Sequence, residues 1–112
     1  MSALAALLVA AAPALACYEA PGSRSTTCID EAAVTVNGDV RASPLYLGGP
    51  NGARKTSQTI VVDCKAGLAT IQDRSGVNSA GAGTSATPAS RALSRWVCEA
   101  KAPKKDPKLR QF

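Results

Sequence analysis

The chain has 112 residues, a formal charge of +5 at neutral pH and no histidine. Its first sixteen residues, Met1 to Ala16, are uncharged and include fourteen hydrophobic side chains, whereas past them Leu, Ile, Val and Phe together number only 16. These figures exclude a multidomain enzyme, a polytopic membrane protein and a large barrel, and the missing histidine excludes His-dependent triads, imidazole bases and Cys/His zinc sites.

Leu4 to Ala12 reads as the apolar middle of a secretory signal that Pro13 breaks. Ala14-Leu15-Ala16 supplies small residues at −3 and −1, so cleavage is expected to leave Cys17 as the first mature residue. No Lys or Arg precedes Arg24, so the basic n-region is absent and the natural start is expected upstream of Met1. A membrane anchor is disfavoured, because 16 apolar residues fall short of the roughly 20 that span a bilayer. Cys17 at +1 also suits an acylated bacterial lipoprotein, although alanine stands where such sites usually carry leucine.

From Tyr18 to Thr27 the chain is polar and turn-like around Pro21-Gly22. Ala33 to Val36 alternates as a strand and ends at Asn37-Gly38, a hairpin signal that sets Val34 and Val36 against Val40 and Ala42. Pro44 is expected to limit the second strand or place it at an edge. Leu45-Tyr46-Leu47 reads as a further short strand, and Gly48 to Gly52 as a plain loop. Thr56 to Cys64 is rich in β-branched residues, with Ile60, Val62 and Cys64 on the apolar side. Lys65-Ala66-Gly67 then turns the chain into a returning strand, Leu68 to Gln72.

Residues 73–90 are dominated by Gly, Ala, Ser and Thr, with Val77 the sole large apolar side chain, so a long mobile loop is expected. Gly81-Ala82-Gly83 lacks the Lys-Ser or Lys-Thr of a phosphate loop, and Ser85 has no G-x-S-x-G elbow around it. Thr87-Pro88 begins a helix, with Thr as N-cap and Pro in the first turn. Ala89, Ala92, Leu93, Trp96, Val97 and Ala100 form one apolar stripe that leaves Ser90, Arg91, Ser94 and Arg95 outside it. Trp96 is thereby a core residue. Cys98 lies off the stripe, so either the helix loosens near its end or it is buried on two sides.

Cys17, Cys28, Cys64 and Cys98 are an even set in a small exported chain, which reads as two structural disulfides. Their scattered spacing does not suit a metal site. Spacing alone leaves three connectivities. Cys17–Cys28 with Cys64–Cys98 sits best with local structure, because Cys64 shares its strand's apolar face and the helix ends against that face. The last twelve residues, 101–112, carry Lys101, Lys104, Lys105, Lys108 and Arg110 against Asp106. Pro103, Pro107 and charge repulsion predict a solvated tail, dispensable for folding, whose five basic residues are the candidate anion-binding group.

Ile29-Asp30 followed by Val34, a strand ending Val61-Val62-Asp63-Cys64, and a helix ending Trp96-Val97-Cys98 resemble, in that order, the surface-adhesin protein E family of small exported bacterial proteins. The resemblance covers roughly residues 28–100. It implies an antiparallel sheet with a C-terminal helix on one face, held by a disulfide between the strand cysteine and the helix cysteine. Its best-known member binds host matrix proteins. The chain departs from that pattern in its extra pair, Cys17 and Cys28, and in its few aromatic residues.

The expected class is thus α+β: a small antiparallel sheet with one helix on a face, stapled by disulfides. The expected organisation is a signal peptide at 1–16, a single domain at 17–102 with a flexible loop at 73–90, and a basic tail at 103–112. The expected function is a non-enzymatic exported binding module without cofactor or metal. Its partner is a host matrix protein, an envelope protein or an acidic glycan, with no nucleic acid, and with a membrane only through a lipid on Cys17. A hydrolase would have to use Asp30, Glu31, Asp63, Asp73 or Glu99, and no pair of these has a spacing that predicts a shared cleft. A periplasmic enzyme inhibitor acting through 73–90 or Gly48–Gly52 is the alternative.

Overall fold

The computed structural model describes residues 14–22, 26–48, 52–73, 78–84 and 87–110. The apolar stretch Leu4–Ala12, the middle of the Gly48–Gly52 loop, Val77, Ser85 and Phe112 lie outside the described residues. The strands are β1 (Leu15–Glu19), β2 (Thr26–Asp30), β3 (Thr35–Asn37), β4 (Val40–Leu47), β5 (Arg54–Asp63), β6 (Leu68–Gln72), β7 (Asn78–Thr84) and β8 (Lys104–Lys105). A 3-10 turn at Glu31–Ala33 follows β2, and one helix, α1 (Pro88–Glu99), lies between β7 and β8. The sheet runs β1-β2-β4-β5-β6-β7, with β3 beside β4 and β8 added to β3. Its pairs are antiparallel except β3 with β8. The fold is α+β, as the sequence indicates.

The Asn37-Gly38 hairpin forms, but Asn37 pairs with Val40, so the loop is Gly38-Asp39. Gly38 has φ +63°, and among the described residues no non-glycine residue has positive φ. Positive φ at the first loop residue only is the type II′ pattern, whose twist suits a hairpin. The register sets Val36 opposite Arg41 and Thr35 opposite Ala42, one residue away from the expected facing of the valines.

Pro44 sits in the middle of β4, a central strand, and so corrects the expectation of an edge or a strand end. It is accommodated because regular pairing is interrupted there on both sides. On one side β4 changes neighbour from β3 to β2, and on the other its register with β5 shifts between Pro44 and Tyr46. The Thr56 hydroxyl fills the gap by donating to the Leu45 carbonyl at 2.8 Å and accepting from the Gln58 N–H at 3.1 Å. Gly48 closes β4 with φ +108°, where a Cβ would lie 2.8 Å from the Gly52 carbonyl oxygen.

Both faces of the sheet carry apolar side chains, which is why Ile60-Val61-Val62 is a continuous run and not an alternation. On the helix face, Ile29, Val34, Leu45, Ile60, Val62 and Ala69 pack with Leu93, Val97 and Ala100 of the helical segment. On the opposite face, Val40, Ala42 and Val61 pack with Leu109. Thr87 caps α1, its hydroxyl accepting from the Ser90 N–H at 3.1 Å, and Pro88 follows in the first turn. Ser94 is buried, not outside the stripe, so α1 is buried over a wider arc than expected. Cys98, one turn beyond Ser94, lies along that extra arc, which settles its position in favour of burial on two sides.

The disulfides are Cys17–Cys28 and Cys64–Cys98. Cys17 and Cys28 face each other across β1 and β2. The sulfur of Cys17, the residue on which an acylated lipoprotein would carry its lipid, is bonded to that of Cys28. Cys64 bonds to the helix as expected but is exposed in the turn after β5, not buried beside Ile60 and Val62. The cause is Asp63, whose Oδ1 accepts from the N–H groups of Lys65 at 3.0 Å and Ala66 at 2.9 Å and turns the chain before Cys64 can continue the pleat.

Two further expectations are corrected. Part of 73–90 is the strand β7, paired with β6, because backbone hydrogen bonding to an open edge needs no apolar side chains. The basic tail is tied to the sheet through its backbone, while its basic side chains stay exposed. The Lys104 N–H donates to the Val34 carbonyl and the Asp106 N–H to the Val36 carbonyl, both at 2.9 Å, and the Asn37 side-chain amide donates to the Leu109 carbonyl at 2.8 Å. Pro103 and Pro107 flank this short edge strand, where a missing N–H costs no ladder bond. β1 also begins at Leu15, two residues before Cys17, so the strand runs across the expected cleavage point.

Candidate functional site

The five candidate basic residues are all exposed, and docking of the tail fixes where each one goes. Lys104 and Lys105 are consecutive on β8, so they project toward opposite faces of the sheet. Lys105 borders a hollow beside the β3–β4 turn with Val36, Gly38 and Asp106. Lys108 and Arg110 share a hollow of about 270 Å3 on the side away from the helix, bordered also by Val61, Gln72, Asp106 and Leu109. Lys101 lies elsewhere, in a groove of about 430 Å3 with Glu31, Trp96 and Glu99.

The structure therefore brings Lys108 and Arg110 together and separates them from Lys101. Asp106 offsets part of the charge beside that pair, and its Oδ1 is engaged by the Lys108 N–H at 3.0 Å. Two carboxylates offset Lys101 in its groove. What remains is a basic edge built from Lys104, Lys105, Lys108 and Arg110 on one short segment, pinned by Leu109. Such a surface suits an extended polyanion that contacts several side chains in turn better than a compact anion that needs convergent donors.

Among the candidate acids, Asp30 has a structural position. It is 6% exposed, and its Oδ1 accepts from the N–H groups of Ala14 and Ala32, each at 3.0 Å. Its own N–H donates to Ser43 Oγ at 3.2 Å. Asp63 serves the turn that presents Cys64. Glu31 and Glu99 are both exposed and line one groove with Trp96, a proximity that their distance in sequence hides and that corrects the expectation of no shared cleft. The groove is shallow and open to solvent, without the water exclusion that tunes a carboxylate pair for acid–base work.

Arg41 is a residue that sequence reasoning missed. It emerges on the helix face of β4 opposite Val62, and its Nη1 donates to the carbonyls of Ala100 at 2.9 Å and Val97 at 3.3 Å. The available signal was a lone arginine between Val40 and Ala42, two positions that read as strand core.

Among the described residues, no group of three or more His, Cys, Asp or Glu is placed to hold a metal ion, and no helix is long and apolar enough to cross a membrane. Comparison with protein-family models, with curated proteins and with solved structures returned no match to this chain.

Proposed function

We propose that the chain is an exported, non-enzymatic binding module of the bacterial envelope or surface, one that meets an acidic partner through its C-terminal edge. The observation that carries this reading is the pair of disulfides, which join all four cysteines in a small chain that opens with an apolar leader. Disulfides persist in oxidising compartments and are rare in the cytosol, so they indicate a non-cytosolic protein. The resemblance to the surface-adhesin protein E family supports the same reading, since a strand-to-helix disulfide is what that family implies for Cys64 and Cys98. Its host matrix partners are one class to which the reading extends.

The binding region is the segment from Lys104 to Arg110, where Lys108 and Arg110 share one hollow and the pairing of Lys104 and Lys105 with β3 holds the segment at the edge of the sheet. Coulomb attraction to an acidic glycan or an acidic protein surface needs no deep pocket and weakens as salt rises. The test is retention on immobilised heparin and on an immobilised host matrix protein, compared with a variant in which Lys104, Lys105, Lys108 and Arg110 are replaced by serine. Salt-sensitive retention that the variant loses supports the reading. Equal retention of both proteins, or none of either, rejects it.

A further inference from the structure

We propose that the sheet face away from the helix carries a second basic subsite at Lys55, joined to the hollow of Lys108 and Arg110 in one track for an acidic oligosaccharide. The inference rests on the reading of the C-terminal segment as an anion-binding region, and it adds a ligand class and a residue outside that segment. A hollow of about 580 Å3 lies beside β5, bordered by Pro44, Lys55, Thr56, Ser57, Gln58 and Thr59. Its cause is local. Between the Pro44–Thr59 and Tyr46–Lys55 pairs, three residues of β5 stand against Leu45 alone, and the pairing of β5 with β6 ends at Thr59 and Gln72. Among the described residues, 55–58 therefore have a strand on one side only, and Lys55 and Ser57 are exposed.

The two hollows adjoin on one face. Thr59 stands two residues from Val61, and Pro44 two from Ala42, so both share the face on which Val61 and Ala42 pack with Leu109. Lys55 pairs with Tyr46, two residues beyond Pro44, and so returns to that face about 7 Å along the strand from Thr59. Gln72 is the partner of Thr59 across the ladder and borders the hollow of Lys108 and Arg110. One facing pair, Thr59 and Gln72, is all that separates the hollows.

Cations stand at both ends of this track, with neutral hydrogen-bonding groups between them. Asp106 is the one carboxylate among the described residues that border either hollow, and its Oδ1 already accepts from the Lys108 N–H. The middle is bordered by the hydroxyl residues Ser57 and Thr59 and by the Gln72 amide, groups that both donate and accept. Sulfate or carboxylate groups of a glycan pair with the end cations, and its hydroxyls pair with the middle. An acidic protein surface is the poorer fit, because protein interfaces centre on apolar and aromatic anchors and the centre of this track is polar.

The experiment measures binding of a heparin octasaccharide and a heparin disaccharide to the disulfide-bonded full chain at one low salt concentration. The same measurement is made on Lys55→Gln, on Lys55→Arg and on a variant with Lys108 and Arg110 both replaced by serine. Lys55→Gln should weaken octasaccharide binding roughly fivefold, the effect of losing one solvated charge contact, and Lys55→Arg should bind as the unaltered chain does. The disaccharide, too short to reach both hollows, should bind far more weakly than the octasaccharide. Equal octasaccharide affinity of Lys55→Gln and the unaltered chain, with loss in the Lys108 and Arg110 variant, overturns the track while leaving the C-terminal reading standing. Loss in Lys55→Arg as well as Lys55→Gln, or a disaccharide that binds as tightly as the octasaccharide, also overturns the track. Poly-glutamate of equal charge that matches the octasaccharide in affinity overturns the choice of a glycan, and no octasaccharide binding by the unaltered chain overturns both this inference and the reading beneath it.

Discussion

The Arg41 guanidinium donates to the Ala100 carbonyl at 2.9 Å, so a side chain from the centre of the sheet closes the C-terminal end of the one described helix. The last turn of a helix leaves carbonyls without partners and carries partial negative charge, and a cation placed there satisfies both. The final turn of α1 contains no basic residue of its own. The sheet therefore supplies what the helix sequence lacks, and the contact ties β4 to α1 independently of the Cys64–Cys98 bond.

Replacing Arg41 with methionine keeps the apolar stem and removes the cap. The expected loss is about 1–2 kcal/mol in urea unfolding, from charge-assisted hydrogen bonds in a half-buried setting. Faster amide exchange should be confined to the last turn of α1. An unchanged midpoint with unchanged exchange would show that water caps the helix equally well.

Cys64→Ser together with Cys98→Ser opens a loop of 34 residues. The expected cost is roughly 2–5 kcal/mol, and the helix should lose protection before the β4–β5 hairpin does. Circular dichroism and exchange on the same samples separate the two effects. Arg41 gives the helix a second tether, so partial retention of helicity under native conditions is expected.

Truncation after Ala102 removes β8 and Leu109. Uncovering Val40, Ala42 and Val61 and freeing the edge of β3 should lower the melting temperature, contrary to what the charge and proline content of the tail suggest. Leu109→Ala alone should cost about 1–2 kcal/mol, less than a fully buried leucine, because Leu109 is only partly buried. A truncated protein that melts with the full chain would dismiss the docked tail.

Thr70 is 5% exposed, and its Oγ1 is the one buried side-chain polar atom without a hydrogen-bond partner among the described residues. It faces Val61 across β5 and β6. Thr70→Val keeps the shape and removes an unsatisfied hydroxyl, so the variant should be more stable by about 1 kcal/mol. Destabilisation in denaturant titration would mean that the hydroxyl has a partner after all.

The parts of this protein that could be read from its residues are those whose signals are local. The β-branched run around Ile60 to Val62 and the returning Leu68 to Gln72, joined by the Lys65-Ala66-Gly67 turn, form the expected hairpin. Thr87-Pro88 starts a helix for reasons confined to its first turn, and an even set of scattered cysteines reads as two disulfides. Tertiary structure decided the rest. Pro44 is tolerated at the centre of the sheet because pairing breaks on both sides of it, and no property of Pro44 itself shows that. Asn78 to Thr84 and Lys104-Lys105 became strands by pairing their backbones with open edges of β6 and β3, which composition does not encode. Leu109 found a core only because Val40, Ala42 and Val61 turn away from the helix. The physical reason is the same in each case: backbone hydrogen bonds and burial are granted by a neighbour distant in sequence, and that neighbour exists only once the sheet has formed.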